Sequence, residues 1–431
     1  MKKLLTVLLL NFLFVWGLNG QNLEKCGTMY NHNVIGTNVQ DIQLQRMQIE
    51  KLANKWEKNN RGNKILDSAL VTIPVVFHVV YNTPTQNLHD SLVYSQLEVM
   101  NNDYRRTNAD TVNTRVVFDS IAVDTRIEFC LANVDPLGNF TTGINRVQTT
   151  TTNFATAPLD NAIKSTAAGG VDPWPTDQYL NIWICDMYFF GNPLVLGYAQ
   201  FPGEDSLTDG LVLTYQHTGY RPWDAAASPA NLGRTASHEV GHYLGLRHIW
   251  GDGDCDSTDY VTDTPNADAA SQQICTLTNN TCNDATEQYW NGFDPPDMLE
   301  NYMDYSTDAC MNMFSQGQSD RMWSFLNTSR ASLLTSTKCS GLVGLEESFL
   351  ASSLIVYPNP SKGMFTLEWP GEVQFEKLEL VDLLGKVVVK YDLSNVYAKY
   401  VVNASHLKEG IYFIRIVNEL DVVTSKILIT D

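Results

Sequence analysis

The chain has 431 residues, 29 basic and 48 acidic side chains, a formal charge of −19 and 44% hydrophobic residues. That hydrophobic share excludes an intrinsically disordered chain, and the length allows two or three domains at the usual ~150 residues each. The acidic balance argues against nucleic-acid binding and against anionic membranes, because no basic field exists to hold phosphates.

Residues 1–20 read as a signal peptide. Lys2 and Lys3 open it, Leu4 to Trp16 is apolar except Thr6 and Asn11, and Gly20 offers a small cleavage residue. The run falls short of the ~20 residues needed to span a bilayer, and no later stretch is long or apolar enough. The expectation is an exported protein with no stable membrane span.

Export sets how the eight cysteines read. Cys255, Cys275, Cys282 and Cys310 cluster within an irregular stretch, which in an oxidising compartment suggests two disulfides. Sequence alone leaves their three pairings open. Cys130 and Cys185 sit in apolar β-like runs and read as buried thiols.

Residues 21–61 are polar, with Ile42, Leu44, Met47, Leu52 and Trp56 giving a partial helical stripe. This is expected to be a small attached segment. A buried strand is expected over Ile73–Tyr81, then a helix over Leu92–Arg106 with Val93, Leu97, Met100 and Tyr104 on one face. Strand-like runs recur at Arg126–Ala132, Tyr179–Cys185 and Gly210–Thr214. Periodicity then disappears from 251 to 312, where Asp, Asn, Thr and Cys dominate. Such a stretch needs staples, supplied by cysteines or bound cations. Ser315–Leu334 reads as a helix capped by Ser315, and 340–350 as a linker. From 351 to 431, short β runs separated by Pro, Gly and Asn turns give a small β-sandwich pattern.

The stretch His238-Glu239-Val240-Gly241-His242-Tyr243-Leu244-Gly245-Leu246-Arg247-His248 carries the chemistry. His238 and His242, four apart on a helix, project from one face and can share one Zn²⁺. Glu239 is placed to take a proton from an attacking water and pass it to a leaving amine. Gly245 tolerates positive φ, so the chain can turn and bring His248 round as third ligand. A structural zinc site would close with four protein ligands, whereas this pattern leaves the fourth position open.

These residues, followed by Glu300-Asn301-Tyr302-Met303-Asp304-Tyr305-Ser306, resemble the metzincin signature with its Met-turn. Within that group the chain resembles the pappalysin family over roughly 65–335. The segments that carry this are Ile73–Tyr81, Asn102–Asp110, Leu196–Pro202, Gly233–Asp252, Asp263-Thr264-Pro265 and Asn301–Phe314. The resemblance implies an α+β fold: a zincin-like domain, mixed sheet plus helices over an irregular lower subdomain, followed here by the β-sandwich. It implies zinc endopeptidase activity on proteins or peptides, with Met303 as a floor beneath the histidines and Tyr305 supporting the oxyanion. The Leu196–Phe201 region resembles the edge strand on which a peptide docks. Asp308 matches an acidic position that would favour basic residues beside the scissile bond. The implied disulfides are Cys255–Cys282 and Cys275–Cys310. Structural Ca²⁺ is implied near Asp252, Asp254, Asp256, Asp259 and Asp263. Asp259 is the first choice, helped by backbone oxygens of Thr258, Thr262 and Thr264.

Cys26, in Lys25-Cys26-Gly27-Thr28, resembles a cysteine switch that occupies zinc's open position and holds a zymogen latent. Arg61 is the candidate maturation cut. The C-terminal part resembles the type IX secretion sorting domain, on Tyr357-Pro358-Asn359-Pro360, Lys362-Gly363, Leu383-Leu384-Gly385-Lys386, Gly410-Ile411-Tyr412 and the terminal Lys426–Asp431. It implies the type IX machinery as partner and a secreted or cell-surface location. The expected order is signal 1–20, prosegment 21–61, catalytic domain 62–339, linker 340–350 and sorting domain 351–431. The competing expectation is a non-catalytic surface adhesin on the same scaffold.

Overall fold

The computed structural model describes residues 25–36, 40–60, 70–155, 161–189, 192–193, 195–225, 227, 229–272, 275–339, 354–369, 375–382, 386–417 and 422–430. The signal, Arg61, the linker and the turn at Leu383–Gly385 lie outside the described residues. The chain divides into two compact units, 1–340 and 341–431.

The first unit begins with helices α1 (Thr28–Gly36) and α2 (Gln40–Asn60). Strand β1 (Val71–Tyr81), rich in β-branched residues, is the sheet's hub. Helix α3 (Asp90–Tyr104) and a single turn α4 (Val116–Asp119) follow. On one side β1 pairs in parallel with β2 (Ile127–Leu131) along its first half and β3 (Ile144–Gln148) along its second. On the other it pairs with β4 (Leu180–Cys185). Pro74 is tolerated because pairing with β4 begins only at Val75, beyond the missing N–H.

A short ribbon, β5 (Tyr188–Phe189) with β6 (Asn192–Pro193), leads to β7 (Gly197–Ala199) and β8 (Leu211–Thr214). The sheet order is β2-β1-β4-β8-β7, and only β7, at the edge, runs antiparallel to its neighbour. Both faces are buried, as parallel strands require. Val75, Phe77, Val79, Ile182 and Leu213 pack toward one core, and Val80, Trp183, Cys185 and Val212 toward another.

Helix α5 (Arg234–Tyr243) lies against α3, where Ser237 Oγ donates to Asp103 at 2.6 Å and Tyr104 donates to Ser237 O at 3.1 Å. From 251 to 312 the described residues form turns, bends and one isolated bridge, Asn301 with Met313. Cys255 is bonded to Cys282 and Cys275 to Cys310 across this stretch. Helix α6 (Gln316–Leu326) has Ser315 as N-cap, in a reciprocal capping box with Gln318.

Three sequence expectations need correction. Helix α6 stops at Leu326, and only a 3₁₀ turn, Ala331–Thr335, follows. Cys130 is not a thiol: it is bonded to Cys339. The strand's alternation buries Ile127 and Phe129 and turns Glu128 and Cys130 the other way, toward the chain's return. In α2, Leu44, Met47 and Leu52 are exposed, whereas Ala53 is buried and Arg46 and Glu50 make ion pairs with Glu204 and Arg321 of the same unit. The helix docks through charge as well as apolar contact, so hydrophobic periodicity misreads its inner face.

The second unit is a β-sandwich. One sheet is β9 (Ile355–Tyr357), β10 (Met364–Glu368) and β13 (Lys399–Asn403). The other is β11 (Lys377–Val381), β12 (Val387–Asp392), β14 (Gly410–Val417) and β15 (Val422–Ile429). Phe365, Leu367, Trp369, Leu378, Leu380 and Ile414 form its core. Among the described residues no helix of either unit is long and apolar enough to cross a membrane.

Candidate metal centre and active site

Helix α5 carries His238 and His242 one turn apart on a buried face. It ends at Tyr243 with Leu244 as C-cap, and Gly245 follows with φ +93°, a conformation L side chains rarely adopt. That turn redirects the chain so that His248 faces the other two. His242 Nε2 lies 3.1 Å from Nε2 of both His238 and His248. Each Nδ1 has an acceptor: Tyr302 O at 2.7 Å, Leu246 O at 2.8 Å, and the Asp252 carboxylate. These partners hold the proton on Nδ1 and leave each Nε2 lone pair facing the common centre. Burial and neighbouring charge, including that of His248, keep His238 and His242 well below the usual imidazole range, in the neutral state that ligates.

Cys26 supplies a fourth donor. Its ligand atom and those of the three histidines all lie within 4.8 Å of one another, and all four residues are buried. Three imidazole nitrogens and one sulfur, converging on one point, fit a tetrahedral Zn²⁺.

Glu239 is fully buried beside this centre. A Cβ on Gly197 would come 3.0 Å from Glu239 Cγ, so glycine in the edge strand gives the carboxylate its room. Its Oε2 accepts from Thr28 Oγ1 at 2.8 Å and Cys26 Sγ at 3.4 Å, while Oε1 is buried without a hydrogen-bond partner. Burial pushes the Glu239 carboxyl up to about 8, against the pull of Thr28, Cys26 and Lys25.

Met303 lies beneath α5, and a Cβ on Gly241 would sit 2.4 Å from its sulfur. Tyr305 reaches the centre from the side, its hydroxyl donating to Cys26 O at 3.1 Å. Its ring packs edge-on against His248 and Trp250, and Trp250 stacks on His248 at 4.3 Å.

Segment 25–28 runs along β7 in the same direction. Leu196 N donates to Lys25 O at 3.1 Å, Gly27 N to Gly197 O at 2.8 Å, and Ala199 N to Thr28 Oγ1 at 2.7 Å. The Lys25 side chain is buried against Asp308. Its ammonium donates to Ser306 O at 3.0 Å and lies 3.5 Å from Asp308 Oδ1, with side-chain exposures of 2% and 0%. Asp308 Oδ2 is held by backbone N–H groups of Leu232 (2.9 Å) and Arg234 (3.3 Å), leaving Oδ1 for the cation.

The acidic loop is divided. Asp252 serves His248, and Asp254 and Asp256 are exposed. Asp259 is buried, accepting from Val261 N at 2.9 Å and Thr264 Oγ1 at 2.8 Å; burial pushes its carboxyl up to about 7. Thr262 is exposed. Asp263 ties the loop to α6, accepting from Ser315 Oγ at 2.6 Å and Gly317 N at 2.8 Å.

Three contributors escape sequence reasoning: Lys25, Asp252 as partner of His248, and Trp250. Asp252 had a readable signal, standing four residues after His248. Lys25 had a weaker one, a basic residue beside the switch-like cysteine.

Residues 167–327 match the family model described as pregnancy-associated plasma protein-A, peptidase M43, and residues 355–430 match the secretion system C-terminal sorting domain. An extracellular metalloprotease of Pyricularia oryzae is 30% identical, over 63% of this chain and 80% of that protein. One from Uncinocarpus reesii is 30% identical, over 66% and 86%. Among solved structures, a Tannerella forsythia promirolysin variant is 38% identical, covering 74% of this chain and 99% of that one, with TM-score 0.62. Mature T. forsythia mirolysin, in complex with a cleaved peptide, is 42% identical, covering 63% and 98%, with TM-score 0.56. The chain belongs to the pappalysin family of metzincins: it is a secreted or cell-surface zinc metalloendopeptidase with a C-terminal type IX sorting domain.

Proposed function

We propose that this enzyme cleaves proteins beside basic residues and is made as a latent precursor, with residues 21–61 as prosegment. The observation that carries the reading is the pair Lys25 and Cys26. One side chain fills the Asp308 pocket while the next completes the donor set of the three histidines. A segment so seated denies a substrate both the metal and the pocket. Its ammonium also reports what the pocket accepts.

His238, His242 and His248 would hold the zinc ion, which would supply Lewis acidity toward a peptide carbonyl and toward water. Glu239, freed of Thr28 and Cys26, accepts the proton of the attacking water and delivers it to the leaving amine. The Tyr305 hydroxyl, which donates to Cys26 O, would donate instead to the developing oxyanion once the segment has left. Met303 supports α5 from below. Maturation at or near Arg61 releases the segment, and the sorting domain addresses the protein to the type IX machinery. A structural Ca²⁺ at Asp259, with backbone oxygens of residues 258, 262 and 264, would offset the cost of burying that carboxylate. It would appear as a rise in melting temperature with added calcium, absent in Asp259→Asn.

The test is cleavage of a peptide library by the processed protein beside its Glu239→Ala variant, with products sequenced. Metal-dependent cuts clustering at Arg or Lys, abolished in the variant and dispersed by Asp308→Asn, support the reading. Cuts with no basic preference would remove the Asp308 assignment.

A further inference from the structure

A second buried carboxylate lies beyond the other end of β7. The Glu204 side chain, 1% exposed, receives His32 Nδ1 and Arg46 Nη2, both at 2.6 Å. Among the described residues, both hydrogen-bond partners of this carboxylate come from the segment 25–60. The other cations that act on it are engaged elsewhere: Lys164 donates to Thr208 O at 2.7 Å, and Arg330 grips Asp209 through two bonds. Ile49 packs over the adjacent Gly203, whose added Cβ would sit 1.8 Å from Ile49 Cδ1. The segment thus covers Glu204 with two cations and an apolar cap.

Ring contacts link Glu204 to the metal centre through His32. The His242 ring meets Phe201 at 5.4 Å, and Phe201 meets His32 at 4.9 Å. Segment 25–28 follows β7 from Leu196 toward Ala199, so Lys25 and Asp308 mark one side of the centre and His32 and Glu204 the other. We propose that Glu204 is a second specificity residue, forming a subsite for a cationic substrate side chain on the side of the scissile bond opposite Asp308. This rests on the reading that segment 21–61 leaves on maturation. Departure of His32, Arg46 and the Ile49 cap uncovers this carboxylate and removes both its cationic partners, leaving its oxygens for an incoming guanidinium. At about 3.3 Å per extended residue and 1.5 Å per helical one, the span from Cys26 to His32 equals roughly two to four substrate residues.

The experiment uses processed protein from the full precursor and quenched peptides with a fixed Arg for the Asp308 pocket. A second Arg is moved through the second to fifth positions across the scissile bond, with norleucine as reference. One position is expected to raise kcat/KM about tenfold over norleucine, the scale of one charge-assisted hydrogen bond. In Glu204→Gln that ratio falls to about one, and in Glu204→Arg a glutamate peptide overtakes the arginine peptide. A flat scan in the wild type, or an unchanged ratio in Glu204→Gln, overturns the proposal. The same peptide pair, titrated calorimetrically into Glu239→Ala protein freed of its prosegment by an added protease, reads the selectivity without turnover. Failure of the release reading is seen separately, as equal cleavage of the norleucine peptide by precursor and processed protein.

Discussion

The Arg321 guanidinium donates through Nε to the carbonyl oxygen of Gly245 at 2.9 Å, tying α6 to the turn between the second and third histidines. Its remaining edge takes the Glu50 carboxylate at 2.7 and 2.9 Å. Arg330 repeats the device one step earlier, donating to Tyr243 O at 2.6 Å. Two buried cations therefore terminate the zinc-binding helix, where its dipole favours positive charge.

Arg321→Met should loosen that turn. In the processed protein the expected loss is about tenfold in zinc affinity, the scale of an outer-shell contact to a ligand. Chelator competition measures it. An affinity equal to wild type would reduce Arg321 to a prosegment anchor.

Asp252→Ala frees the His248 ring and removes the acceptor that fixes its tautomer. Zinc affinity should fall about 10- to 100-fold, with cleavage restored by excess zinc. If cleavage stays low at saturating zinc, the aspartate acts on the reaction rather than on the metal.

In the precursor, Cys26→Ala should raise initial cleavage by at least ~10-fold by removing a metal-seeking sulfur. Lys25→Ala should add to it by emptying the Asp308 pocket. Rates are read immediately after purification, before any processing. A Cys26→Ala precursor no more active than wild type would sink the switch.

Lys164 sets a pH dependence of stability. Its ammonium is buried over the rings of Trp183 and Tyr198, and loss of water pulls its pKa down to about 7. The folded state then favours the neutral amine, while the unfolded chain keeps the ordinary value near 10.5. Stability is fullest above that value, declines as pH falls to about 7, and is level below. Lys164→Met should remove this slope and melt higher at pH 7. A parallel pair of melting profiles from pH 7 to 10 would contradict it.

How legible each part was follows from how local its determinants are. His238, Glu239 and His242 share two helical turns, and Gly245 fixes the return to His248, so the spacing itself carries the geometry. The strands of the sheet announce themselves by β-branched runs. Lys25 meets Asp308 only after β7 has been laid at the sheet edge, and neither residue carries that meeting in its neighbourhood. Cys130 and Cys339 are 209 residues apart. The face of α2 was hidden because charge shares its docking, and charge has no hydrophobic period. Glu204 looks like any surface acid until a helix from the N-terminal segment covers it.

The Cys130–Cys339 bond closes the first unit one residue before its boundary at 340. The polypeptide reaching that boundary is stitched to β2, and the hem is sewn before the cloth is cut. A protease severing the chain beyond Cys339 would detach the address label and leave that bond intact behind it. Exopeptidases in the extracellular space would then have to pass a covalent knot before they could unravel Ser336, whose hydroxyl bonds Gln178 O at 2.8 Å, or the turn at Ala331–Thr335.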